Sequence, residues 1–299
     1  MRNPVSRLVL AGAIAGTLGL IASAPSLAAT TEVVTEADVT RQAENTPPTD
    51  NWVLYTRAGT PPTSAIFESG PSSPPEGTGS LQLTTTAGSE KVFLYNYDHV
   101  GTPLADIDVV EYSTYRTAGS AQQVTALNVQ IDYNGADPGG FATLVYEPVY
   151  NTGPGGVTND VWQTWDADAG IWWSTQPING QCAGATSACD KTWAEIQANN
   201  QNAIILAVGV NQGSGNPGLI ANVDAFVFGE TTYDFEFIRD TDGDGDGLGT
   251  ACDDANGDGI DDTDPPTNKD QCKNGGYATF NNPSFRNQGQ CVSYVNGRR

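Results

Sequence analysis

Val124-Thr-Ala-Leu-Asn-Val-Gln-Ile-Asp-Tyr133 places Leu127, Val129, Ile131 and Tyr133 at every second position. Side chains two residues apart on a strand share a face, so this stretch reads as a strand with one apolar side and one polar side. The same texture runs outward in both directions. Short runs rich in Val, Thr, Tyr and Leu alternate with Gly, Pro, Asn and Ser turns. Expected strands are 52–57, 65–68, 80–86, 92–97, 107–115, 124–133, 143–150, 161–166, 171–174, 203–210, 219–229 and 232–237. A single helix is expected over 192–199, where Thr192-Trp-Ala-Glu195 has the spacing of a capping box. Many short strands at even spacing predict an all-β sandwich over 51–237, read as a two-sheet jelly roll.

Before the sandwich stand two segments of different character. Arg2 and Arg7 precede the apolar run Leu8 to Ile21, and Ser26-Leu27-Ala28 is a small-x-small site. Residues 1–28 therefore read as a secretory signal peptide, and the mature chain as secreted and without a membrane span. Residues 29–50, ending in Pro47-Pro48, are expected to form a flexible N-terminal segment.

The chain carries 35 acidic and 13 basic residues, a net charge of −22. Such a surface repels phosphate backbones, which argues against nucleic acid as a partner. Many of the acids lie in Asp242-Gly-Asp-Gly-Asp-Gly-Leu-Gly-Thr-Ala-Cys-Asp253 and the residues around it. Carboxylates at every second position need a cation, and a hard cation with oxygen ligands, calcium first, suits them. With Asp242 as loop position one, Asp244 and Asp246 stand at three and five, and Gly247 at the turn. The Leu248 carbonyl, Thr250 and Asp253 follow at seven, nine and twelve, which is the ligand order of an EF-hand-type loop. Asp254, Asn256, Asp258 and Asp262 begin a second loop, cut short by Pro265 at its twelfth position.

The pattern Asp242-x-Asp-x-Asp-Gly-x-Gly-x-x-Cys-Asp253 resembles a thrombospondin type 3 repeat. That resemblance implies a calcium-wrapped spacer over 238–266 with little core of its own. It departs from the family in Thr250 and in the shortness of the array. A dockerin is a poorer match, because Asp262-Thr-Asp-Pro-Pro266 forbids the helix that follows each dockerin loop. The tail, Lys269-Asp-Gln-Cys-Lys-Asn-Gly-Gly-Tyr277 and Phe285-Arg-Asn-Gln-Gly-Gln-Cys-Val-Ser-Tyr294, resembles a small C-terminal module of secreted actinobacterial proteins, over 267–299. Gly70-Pro-Ser-Ser-Pro-Pro-Glu-Gly-Thr-Gly-Ser-Leu81 resembles the entry to lectin-like jelly-roll domains.

Five cysteines stand at 182, 189, 252, 272 and 291. Export permits disulfides. Pairing of near neighbours gives Cys182–Cys189 and Cys272–Cys291, and leaves Cys252 over. With one histidine and no Cys-x-x-Cys, a zinc site of the usual kind is not expected.

Trp162, Trp172 and Trp173 are the candidate ligand-binding residues, as a surface on which sugar rings stack. Burial in the core is the competing reading for each. Trp162 and Trp165 fall on opposite faces of their strand, so at least one is a candidate for exposure. Catalytic signatures are scarce. There is no Gly-x-Ser-x-Gly elbow, and His99 stands alone. The Glu-x-Asp-x-x-Glu cluster of laminarinase-like jelly-roll glycosidases is missing. Glu111, Asp132, Glu147, Asp166 and Asp224 could supply a carboxylate pair, and no spacing selects one. The sequence thus points to a secreted, non-enzymatic, calcium-binding protein with a carbohydrate-binding sandwich. A polysaccharide hydrolase or lyase and a structural envelope protein are the alternatives.

Overall fold

The computed structural model describes residues 30–237, apart from 120–121, 136–138 and 153–155, and in the tail residues 266, 269, 271–278, 280 and 283–297. The expected signal peptide, the acid segment with all ten of its candidate ligands, and Cys252 lie outside the described residues.

Among the described residues fifteen strands, numbered in chain order, form two sheets. The seven-stranded sheet holds β1 (Thr30–Val34), β4 (Ala65–Ser69), β5 (Gly79–Thr85), β7 (Val110–Ala118), β10 (Trp162–Asp166), β14 (Leu219–Phe228) and β15 (Thr231–Phe235). The eight-stranded sheet holds β2 (Val39–Ala43), β3 (Trp52–Thr56), β6 (Lys91–Asn96), β8 (Ala126–Asp132), β9 (Phe141–Tyr146), β11 (Ile171–Ser174), β12 (Lys191–Thr192) and β13 (Ile204–Gly213).

Within this set is a complete jelly roll. The antiparallel pairs β5·β14, β6·β13, β7·β10 and β8·β9 form one long folded ribbon. The ribbon then rolls so that β14 meets β7 and β13 meets β8. The result is the interleaved order β5-β14-β7-β10 in one sheet and β6-β13-β8-β9 in the other. The sandwich predicted over 51–237 is therefore present. Its core lies between the sheets, where Leu127, Val129 and Ile131 are fully buried and Tyr133 packs at the edge of the same cluster.

Residues 29–50 depart from the expectation of a flexible segment. β1 pairs in parallel with β15, and β2 pairs in parallel with β3. The segment thus caps one edge of each sheet, which protects those edges from other chains. Its residues explain the pairing. Thr-Thr-Glu-Val-Val is rich in β-branched side chains suited to a strand. Val34 is fully buried in the core, and the Arg41 guanidinium donates to the Glu36 carboxylate and to the carbonyls of Pro62 and Ala65.

The expected helix forms at Trp193–Asn199. Thr192 Oγ1 accepts the Glu195 N–H at 3.3 Å, and Glu195 Oε2 accepts the Thr192 N–H at 2.9 Å. Replacing Thr192 by Ala is expected to cost about 1 kcal/mol. A drop in urea midpoint with an unchanged slope would check it. Both expected disulfides, Cys182–Cys189 and Cys272–Cys291, are present, with Cα atoms 4.9 Å and 5.7 Å apart. In the tail, Cys272, Phe285, Cys291 and Val295 form a small cluster of their own around the helix Gln288–Gly297.

Candidate functional site

Strand alternation gives the eight-stranded sheet two faces. On β6, Val92 and Leu94 turn into the core, which leaves Lys91, Phe93 and Tyr95 on the outer face. On β8 the outer residues are Ala126, Asn128 and Gln130, and on β9 they are Thr143 and Val145, with Glu147 following. The outer face lines a groove of about 740 Å³. Asn45 to Pro48, from the N-terminal segment, contribute to its lining. Its volume is within the range of pockets that hold small ligands.

The strand register lays one row of residues across the groove. Val53 pairs with Tyr95, Tyr95 with Gly209, Gly209 with Asn128, Asn128 with Val145, and Val145 with Trp173. At about 4.8 Å per strand, Tyr95 and Trp173 stand roughly 19 Å apart along this row. Gly209 is required in its middle, because a Cβ there would overlap the Leu94 carbonyl oxygen. Across it Asn128 Nδ2 donates to Tyr95 Oη at 3.0 Å, and Asn211 Nδ2 donates to Asn128 Oδ1 at 2.8 Å.

Aromatic rings fill one end. Phe93 and Tyr95 stack with centroids 5.7 Å apart, Tyr55 lies against Tyr95, and Lys91 Nζ sits 4.2 Å from the Phe93 centroid. Tyr55 and Tyr97 hydroxyls are 3.1 Å apart. Burial raises the pKa of Tyr95 and Tyr97, so both phenols stay neutral hydrogen-bonding groups. Tyr55, Phe93 and Tyr95 are each less than a tenth exposed and build the floor, whereas Tyr97 and Trp173 are half-buried and keep ring surface available to a ligand. At the other end Trp173 Nε1 donates to Glu147 Oε2 at 2.9 Å. Burial raises the Glu147 pKa, and the Trp173 bond opposes this in part.

The raised Glu147 pKa sets a sign. Between the ordinary carboxylate pKa and the higher folded value, the folded state binds more protons, so the Glu147 contribution destabilises increasingly as pH rises. Glu147→Gln keeps an acceptor for Trp173 and is expected to flatten that loss. Thermal melts of both proteins from pH 4 to 8 would check it, and parallel curves would contradict it.

The three candidate tryptophans do not converge. Trp173 alone lines the groove. Trp172 is fully buried in the core, where its Nε1 donates to the Ala167 carbonyl at 2.8 Å. Trp162 lies on β10 in the other sheet, against Tyr115, and its Nε1 donates to the Pro71 carbonyl. Trp165, on the opposite face of β10, is buried. Phe93-x-Tyr95-x-Tyr97 is the signal that points to the groove instead, since three aromatics at every second position share one face.

Of the five candidate acids only Glu147 lines the groove. Asp132 pairs with Phe141, and Glu147 stands six residues further along that strand direction, roughly 20 Å away. That separation is beyond the reach of paired-carboxylate chemistry. Glu111 and Asp166 are direct partners on β7 and β10, in the other sheet and outside the groove lining. Asp224 is buried and accepts the N–H groups of Glu76 and Phe235. His99 Nε2 lies 2.9 Å from the Tyr233 hydroxyl, and burial lowers its pKa. No family model, curated protein or solved structure matches the chain.

Proposed function

We propose that this is a secreted, non-enzymatic binding protein whose sandwich takes a neutral glycan in the groove, and whose acid segment binds calcium. One observation carries the first part. The groove is lined by aromatic rings and side-chain amides, with Tyr97 and Trp173 keeping free ring surface at its two ends. Rings offer flat apolar faces to sugar rings, and Gln130 and Asn211 offer amide groups to hydroxyls, while the buried Asn128 holds Tyr95 and Asn211 in place. A net charge of −22 disfavours polyanionic glycans.

The test is titration of the mature protein with soluble neutral glycans, including β-glucans and xylans. Trp173→Ala and Tyr97→Ala are each expected to weaken binding on the order of tenfold with the fold retained. Binding that both changes leave untouched would place the ligand elsewhere. Release of reducing ends, or of unsaturated products, that persists through repurification would overturn the non-enzymatic reading.

The calcium reading rests on the loop register with Gly247 at the turn. It assigns the first loop to Asp242, Asp244, Asp246, the Leu248 carbonyl, Thr250 and Asp253. Calorimetry is expected to show a site that the double change Asp244→Ala, Asp246→Ala removes. Unaltered binding in that variant would sink the assignment.

A further inference from the structure

Among the described rings of the groove, Tyr97 and Trp173 keep exposed surface, and each is held from behind. The Trp173 indole N–H donates to Glu147 Oε2 at 2.9 Å. The Tyr97 hydroxyl lies 3.1 Å from that of Tyr55, which belongs to the buried floor. Rings fixed in advance lose little side-chain freedom when a ligand stacks on them, so each is a ready platform.

The strand register sets the distance between the platforms. Tyr95 and Trp173 end one row that runs through Gly209, Asn128 and Val145. Tyr97 follows Tyr95 by two residues on the same face, so Tyr97 and Trp173 are anchored roughly 20 Å apart. Between them Gly209 and Ala207 of β13 bring no side chain and one methyl group to the floor, which keeps it low there. Past β13 the floor continues through Gln130 and Thr143, which pair directly. One groove of about 740 Å³ reaches both rings.

We infer that the groove selects a linear glycan segment long enough to stack one sugar on Tyr97 and another on Trp173, laid across the strands, and that it discriminates against short saccharides. The inference rests on the glycan reading above and adds a size and a shape to it. An extended β-linked chain advances by roughly 5 Å per sugar, close to one strand spacing, so about five sugars join the two rings. A trisaccharide reaches one platform only. A chain that reaches both loses its translational freedom once for two contacts, so affinity rises in a step at the spanning length. A site built on a single ring has no such step. The preferred ligand is therefore the interior of a linear polysaccharide, or a long oligosaccharide released from one.

The experiment is calorimetric titration of the full mature chain with linear β-linked gluco- and xylo-oligosaccharides, from the disaccharide to the heptasaccharide. Affinity is expected to rise on the order of tenfold between the trisaccharide and the pentasaccharide, and to change little beyond the hexasaccharide. Trp173→Ala and Tyr97→Ala are each expected to bring the pentasaccharide down to the affinity of the native chain for the trisaccharide, so that the step disappears. Trp173→Phe keeps a ring and is expected to keep the step, which separates loss of the platform from loss of the fold. Equal affinity of the native chain for the trisaccharide and the pentasaccharide, or a step that survives both alanine changes, would overturn the span and leave glycan binding in place. Absence of saturable binding by the heptasaccharides and by soluble β-glucan and xylan would instead remove the glycan reading, and the span with it.

Discussion

Trp172→Ala is expected to cost the sandwich about 3–5 kcal/mol, the range for a large aromatic removed from a packed core. The neighbouring Trp173→Ala is expected to cost far less and to act on binding instead. Trp172 is fully buried, with Trp193 5.0 Å and Tyr146 5.4 Å from its ring. Its indole N–H satisfies the Ala167 carbonyl, so alanine leaves both a cavity and an unpaired buried acceptor. Trp173 is half-buried on the outer face, and the bond it loses is to Glu147 at the groove wall. Equilibrium unfolding of the two variants, followed by circular dichroism, separates them. Equal stabilities would mean that the two faces of β11 are not as assigned.

These adjacent tryptophans also show what could be read from the sequence alone. Successive residues on a strand point to opposite faces. Trp172 and Trp173 could never have shared one stacking surface, and that much was legible in 171–174. Which of the two faces outward depends on the partner strand β9, where Val145 opposes Trp173 on the groove side. That pairing is a property of the whole roll. The core of β8 was readable because Leu127, Val129 and Ile131 repeat with period two. The Thr192 cap was readable because its chemistry is local, and the two disulfides because their partners are near in sequence. The N-terminal strands were not. Thr30 pairs with Thr231 across nearly the whole sandwich, and no local pattern announces a parallel partner at that separation. The groove itself was half legible. Phe93, Tyr95 and Tyr97 alternate visibly, but Asn128 and Gly209 join them only through the register of β6, β13 and β8.

The second large effect is expected in the tail. Replacing Cys272 and Cys291 together by Ser should unfold residues 271–297 and leave the sandwich intact. The bridge closes a separation of 19 residues, for which constraint of the unfolded chain stabilises by about 3 kcal/mol. Among the described residues of the tail little else offsets its loss. The buried cluster consists of Cys272, Phe285, Cys291 and Val295, with Tyr277, Phe280, Val292 and Tyr294 packed partly against it. Phe285 contacts Phe280 and Tyr294 with centroids 6.0 Å and 5.3 Å away, and those contacts assemble only when the bridge holds the two halves together. The helix Gln288–Gly297 has ten residues, which is too short to persist alone in water. A unit of this size without its staple has no reserve of buried area. Limited proteolysis of native and variant chains reads this directly. New cleavage within 273–297 of the variant, at protease levels that spare the sandwich and its Cys182–Cys189 bridge, is the expected result. An uncut tail would mean that its aromatic cluster holds without the disulfide.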